Sequence, residues 1–291
     1  MPRVVRAVHT ESPSEELWYR LLSAGTIEGA KALLRDRIAQ DFFGLDYGEL
    51  SRAKSSHRIE FDAFRIMGSS DVEEHAAEIS YCIRQAQEFY AAAKASTELT
   101  RPILYYYGMV SLAQVLIRST YVFQSVKRAH GVQVDFAQQA VKIQKRGIFP
   151  RFHDCYEVDP RIYVTETKLS LQELFSTIPE VSDEYREVYQ QEPLVIAPDP
   201  EIVMDTHHQV SIREMNLRIP ALTSHFLAMF YLGSLARYRP KDWGEITRGD
   251  SSREIYVIRK FLYASARRFP NVLLNELTGK SYLFYTPARL G

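Results

Sequence analysis

Cysteine is scarce in this 291-residue chain: Cys82 and Cys155 are the whole complement. Two thiols cannot build a disulfide framework, and they fit a reducing compartment. Net charge is absent too, since Lys+Arg and Asp+Glu balance at 36 each. Bulk electrostatics therefore points to no class of partner. The first residues, MPRVVRAVHT, lack the apolar core of a secretory signal. The most apolar windows, near 102–117 and 226–236, are shorter than the roughly 18–20 residues a membrane span needs. No repeat, low-complexity tract or Gly/Ser linker marks a boundary. Neither GxxxxGK[ST] nor GxGxxG occurs, so the common phosphate-loop motifs are missing. What these absences leave is a cytoplasmic globular protein with no membrane partner and a sizeable core.

What is present begins with charge that is balanced globally and segregated locally. Residues 118–153 carry seven cationic side chains against Asp135 alone, and residues 154–201 carry twelve carboxylates against three cations. Such blocks either pair across the fold or place an anion-binding face beside an acidic one.

Helical periodicity is strongest over 70–97. Ser70 and Glu73 have the spacing of a capping box, and Val72, Ala76, Ile79, Ile83, Ala86, Tyr90 and Ala93 recur every three or four residues. A second helix follows over 102–120, with Thr100 as cap, Pro102 near the first helical position and apolar residues around most of the cylinder. It contains three consecutive tyrosines. On a helix these point about 100° apart, so Tyr106 joins the stripe of Val110, Ala113 and Ile117, Tyr107 borders it, and Tyr105 turns toward the loop or the insert. Gly108 implies close approach of another backbone.

Earlier helices are expected at 14–23 and 26–40. The middle changes character: AVKIQKRGIF alternates like a strand ending at a glycine turn, and PLVIA, EIVM and HQVSIREM read as short strands. Ser170 and Glu173 cap a short helix, LQELFSTI, and SDEYREVYQ forms another. Helix returns with ALTSHFLAMFYLGSLARY, ending before Pro240, and with REIYVIRKFLYASARRF behind a Ser251/Glu254 capping box. The expected architecture is a single, mainly α, α+β domain over 1–291. Within it, 1–125 is helical, 126–216 is a β-containing insertion, and 217–291 is helical, with the two helical parts closing into one bundle.

YYYGMVSLAQVLI, His130-Gly131-Val132, VKIQKRGIFPRF, LSLQELFSTIPEVSDEY and YLGSLARYRPKDW, in this order, resemble the YaaC-like family of bacterial proteins over about residues 75 to 275. That resemblance implies a fold class and brings no activity with it. The hairpin AAEISYCIRQAQEFYAAAKAS plus YYYGMVSLAQVLI is also similar to the first helices of HEPN-type domains, helical bundles of toxins and defence proteins. That likeness implies a possible homodimer, and in active members a metal-independent ribonuclease with an Arg, four to six residues, then a His.

The Arg/His spacing occurs at Arg3/His9, Arg52/His57, Arg146/His153 and Arg218/His225, and only the last opens a late helix. There His225 would serve as general acid/base and Arg218 would stabilise the phosphorane. Ile219 and Pro220 inside the spacer count against activity. The competing expectation is a non-catalytic binding or regulatory protein that recognises a nucleotide, nucleic acid or acidic protein. Its candidate residues are His130, Lys142, Lys145, Arg146 and Arg151 around the Gly147 turn, where glycine would let backbone N–H groups approach an anion, together with Arg237 and Arg239 at a helix C-terminus. His153-Asp154-Cys155, read as a strand, places neighbours on opposite faces and so holds no metal. Asp205, His207 and His208 meet the same objection. No metal or cofactor is expected.

Overall fold

In the computed structural model, residues 4–43, 70–121, 129–156, 167–194, 209–212, 217–249 and 253–285 are described. The expected strand EIVM and the last three residues of PLVIA fall outside them, as do Asp205, His207 and His208; Pro193 and Leu194 are described and lie in no strand. Among the described residues the protein is mainly α-helical with short strands, as its patterning predicts.

The chain divides into two compact units. The first gathers residues 1–85, 114–125 and 273–291. It contains β1 (Val4–His9), α1 (Pro13–Ala24), α2 (Ile27–Phe43) and β7 (Lys280–Tyr285), with part of each of three long helices named below. β1 and β7 pair in parallel from Val4↔Lys280 to His9↔Tyr285. Neither strand was expected, because each is six residues long and its partner lies at the other end of the sequence. The Asn275 Oδ1 accepts a hydrogen bond from the Tyr282 amide at 2.9 Å, tying the preceding helix to β7. Lys31 bridges Glu28 and Glu73 at 3.1 and 3.0 Å.

The second unit comprises residues 86–113 and 126–272. The long helices α3 (Ser70–Ala95), α4 (Arg101–Thr120) and α10 (Glu254–Thr278) contribute to both units. The stripe read on α3 is buried throughout, from Val72 at 1% to Ala93 at 0% exposure. The Arg101 guanidinium donates to the carbonyls of Ala93 and Ser96 at 3.1 and 2.6 Å, closing the turn from α3 to α4. Next come β2 (Val132–Asp135) and β3 (Ala140–Ile143), α5 (Ile148–Asp154), β4 (Lys168–Ser170), α6 (Leu171–Ser176) and α7 (Ser182–Tyr189). β2, β3 and β4 form an antiparallel sheet in that order. The Ser170/Glu173 capping box is complete, with the Ser170 hydroxyl accepting from the Glu173 amide at 3.1 Å and the Glu173 carboxylate accepting from the Ser170 amide at 2.6 Å. The hairpin β5 (Gln209–Ile212) and β6 (Leu217–Pro220) leads into α8 (Ala221–Tyr238), then α9 (Pro240–Arg248) and α10.

α8 is buried without a break from Leu222 to Ala236. Phe226 on it meets Phe149 and Phe152 at ring separations of 5.8 and 5.5 Å, and Phe152 reaches Phe269 on α10 at 5.7 Å. Each such ring contributes roughly 1.5–3 kcal/mol by burial. α9 was not read from the sequence: Pro240 ends one helix and also occupies the first turn of the next. The segment containing His153, Asp154 and Cys155 also differs from expectation, lying at the end of helix α5 rather than on a strand. α10 continues through Pro270, past the expected end at Phe269.

Candidate functional site

The three tyrosines of α4 separate as the helical angle requires. Tyr105 does not reach toward the insert; it packs on Tyr90 of α3 with ring centroids 5.2 Å apart. Gly108 is close to that same ring rather than to a backbone, since a methyl there would lie 2.6 Å from Tyr90. Tyr106 faces α8, and Tyr107 stacks on Phe89 of α3 at 5.7 Å while its hydroxyl reaches α8. The Tyr106 hydroxyl is 2.7 Å from His130 Nδ1, and Arg237 Nη1 donates to the Tyr107 hydroxyl at 2.6 Å. Burial, reinforced by neighbouring Tyr107 and opposed by Arg237, drives the Tyr106 phenol pKa far above its ordinary range.

His130 is positioned by backbone. Gly131 and Gly147 stand back to back with φ of 78° and 137°. A methyl on Gly147 would lie 2.5 Å from Gly131 Cα, so both positions exclude side chains. The amides of Ile148 and Phe149 donate to the carbonyls of Ala129 and His130 at 2.7 and 3.0 Å, and Gln144 donates to Gly131 at 3.0 Å. The glycine turn thus closes the loop, with the flanking amides of Gln144, Ile148 and Phe149 taken by protein carbonyls. Burial first and the Arg237 charge second lower the His130 pKa, so its imidazole is held neutral.

Phe230, Ser234 and Arg237 fall at i, i+4 and i+7 of α8 and share one face. Opposite them run Gln133 and Val134 of β2 and Phe136 just beyond it. Together with His130 and Tyr238 they line an open cleft of about 350 Å³. The Arg237 guanidinium lies 4.4 Å over the Tyr238 ring, and Arg239 lies 5.5 Å over Phe136 at the rim. Arg237 Nε is buried and has no hydrogen-bond partner among the described residues. Among the described residues no carboxylate lines the cleft; Asp135, between Val134 and Phe136, is turned to Lys168 at 3.1 Å.

Of the sequence-expected ligand residues, His130 and Arg237 line the cleft, and Arg239 stacks on Phe136 beside it. Lys142 sits on β3 in register with Gln133, Lys145 and Arg146 are exposed in the turn before Gly147, and Arg151 lies on α5; none of these four lines the cleft. Arg218 lies on β6, paired with Ser211, and His225 lies in the first turns of α8. His225 is fully buried, with Nδ1 2.6 Å from the Ser265 hydroxyl and Nε2 3.4 Å from Glu180. Arg268 bonds the other oxygen of Glu180 at 3.0 Å. Both ring nitrogens of His225 are thus committed to protein. Among the described residues no group of His, Cys, Asp and Glu could hold a metal ion, and no helix is long and apolar enough to cross a membrane.

Sequence reading missed Tyr106 and Tyr107 as supports and Phe136 and Phe230 as walls. The available signals were the tyrosine run itself and the i, i+4, i+7 stripe of α8, which ends on the arginine. A family model described as YaaC-like Protein matches residues 51–213 and 198–277. No curated protein and no solved structure matches the chain.

Proposed function

The chain belongs to the YaaC-like family, and from that premise we propose that it is a non-catalytic binding or regulatory protein whose cleft between α8 and the β2 segment takes an anionic ligand of nucleotide size. The observation that carries this reading is Arg237. Its guanidinium is aimed by Tyr107 and stacked on Tyr238, and among the described residues its desolvated Nε has no partner and no carboxylate lines the cleft. A buried donor left unmade costs about 1–3 kcal/mol, which an oxyanion in bidentate contact would recover. The volume, about 350 Å³, lies at the small end of small-molecule sites and favours a nucleotide over an RNA strand or a protein surface. The basic turn at Lys145 and Arg146 adds to the positive potential on this part of the chain without touching the cleft.

Titration calorimetry with ribonucleotides tests the reading. Binding should weaken with added salt, and Arg237→Ala should raise Kd roughly tenfold or more, the loss expected for a hydrogen bond to a charged group. Wild-type protein that binds no nucleotide at millimolar concentration sinks it.

The competing reading is a HEPN-like, metal-independent ribonuclease using Arg218 and His225. It would need His225 to leave Ser265 and Glu180. Incubation of the protein with mixed RNA and a chelator separates the two, because chelator-resistant cleavage lost in His225→Ala would favour the ribonuclease.

A further inference from the structure

We infer, on top of the binding reading, that the ligand is a phosphate monoester carried on a planar ring, in class a nucleoside monophosphate, and that Tyr106 is a positioning residue that fixes His130 as an Nε2–H donor to the phosphate. The tautomer follows from the hydrogen-bond network. Tyr106 keeps its proton, because burial disfavours the phenolate. Its hydroxyl is 2.7 Å from His130 Nδ1 and has no other acceptor among the described residues, so it donates there. A neutral imidazole that accepts at Nδ1 carries its one proton on Nε2. His130 lines the cleft, and Nε2 is the ring nitrogen that Tyr106 leaves unengaged.

Two adjacent tyrosines on α4 thus hold two donors of the cleft, Tyr106 through His130 and Tyr107 through Arg237. Arg237 and Arg239 supply two positive charges, which match a phosphate monoester of about −1.5 to −2 at neutral pH. A triphosphate would leave further charge without a partner. Beside Gln133, Val134 and Ser234, the lining includes the aromatic rings of Phe136, Phe230 and Tyr238, which suit a stacked planar ring.

The test is calorimetric titration with AMP, GMP, CMP and UMP, with the matching triphosphates and with inorganic phosphate, on wild type and on Tyr106→Phe, Tyr105→Phe and Arg237→Ala. The ring-nitrogen NMR shifts of His130 are recorded in parallel. At least one monophosphate is expected to bind tenfold or more tightly than its triphosphate and than inorganic phosphate. Tyr106→Phe, which keeps the buried ring, should weaken it roughly three- to tenfold, the worth of one hydrogen bond. The same change should move His130 from a single Nε2–H tautomer to a mixture. Tyr105→Phe should change neither quantity. Triphosphates bound as tightly as monophosphates would overturn the monoester assignment while leaving the binding reading intact, provided Arg237→Ala still weakens them. Unchanged affinity and an unchanged imidazole spectrum in Tyr106→Phe would overturn the positioning role. Failure of every phosphate to bind wild type would remove both readings together.

Discussion

Glu180→Gln removes one negative charge from the centre of the buried network that joins His225 on α8 to Arg268 on α10. Burial alone would raise the Glu180 pKa. The His225 hydrogen bond and the charges of His225 and Arg268 outweigh it and hold the carboxyl at about 2, against an ordinary 4.5. At about 1.4 kcal/mol per pH unit, that depression is worth about 3 kcal/mol to the folded state. The side chain keeps 24% of its exposure, so screening by water trims the figure toward about 2 kcal/mol. The folded pKa lies below the unfolded one. The contribution is therefore complete above pH 4.5 and fades as pH falls from 4.5 to about 2. Urea unfolding followed by tryptophan fluorescence reads it directly, since Trp243 is buried in the same unit. At pH 7 the variant should be less stable by about 2–3 kcal/mol, as expected when one partner of a buried pair is lost. Near pH 3 the gap between wild type and variant should shrink to about half. A gap that stays constant from pH 7 to pH 3 would refute the assignment of this stability to an ionised Glu180.

Three further substitutions probe packing and caps. Trp243→Phe deletes the indole N–H that donates to the carbonyls of Glu98 and Leu99 at 3.2 Å; unfolding free energy should fall by about 1–2 kcal/mol in urea titration. Gly108→Ala drives a methyl against the Tyr90 ring at 2.6 Å. A net loss of about 1–3 kcal/mol is expected despite the better helix propensity, and a gain in melting temperature would contradict it. Ser170→Ala opens the capping box of α6 and should cost about 1 kcal/mol by the same titration, whereas Ser170→Asp should retain most of it.

Periodic features were legible because they are local. The α3 stripe, the Ser170/Glu173 box and the limits of α8 are each written within a window of a few turns, and the structure reproduces all three. The parallel β1–β7 pair was illegible for the opposite reason, since register between the two ends of a chain leaves no mark in either strand. α9 was hidden because Pro240 is read as a stop, although it also starts the next helix. Gly147 was singled out as a glycine turn, and tertiary structure adds a reason no local window could show, the close approach of Gly131. The cleft was half legible. His130 and Arg237, which line it, and Arg239 beside it were singled out, but so were four basic residues elsewhere. Only tertiary structure shows that Tyr106 and Tyr107 stand behind the first two.

Gly233 of α8 faces the first turns of α4, where Tyr106 Cβ would lie 3.3 Å from an added methyl. A methyl there would meet the Pro102 carbonyl at 3.2 Å and Ile103 Cα at 3.6 Å. Two backbones in such contact behave like meshed gears with no play. A slip of even one residue, about 1.5 Å along the axis, would bring a neighbouring side chain into the space that only glycine leaves. α4 carries both tyrosines and α8 carries the arginine, so the spacing between the donors of the cleft is set by this contact, before any ligand arrives. Entry of a ligand should therefore turn side chains and leave helix positions unchanged.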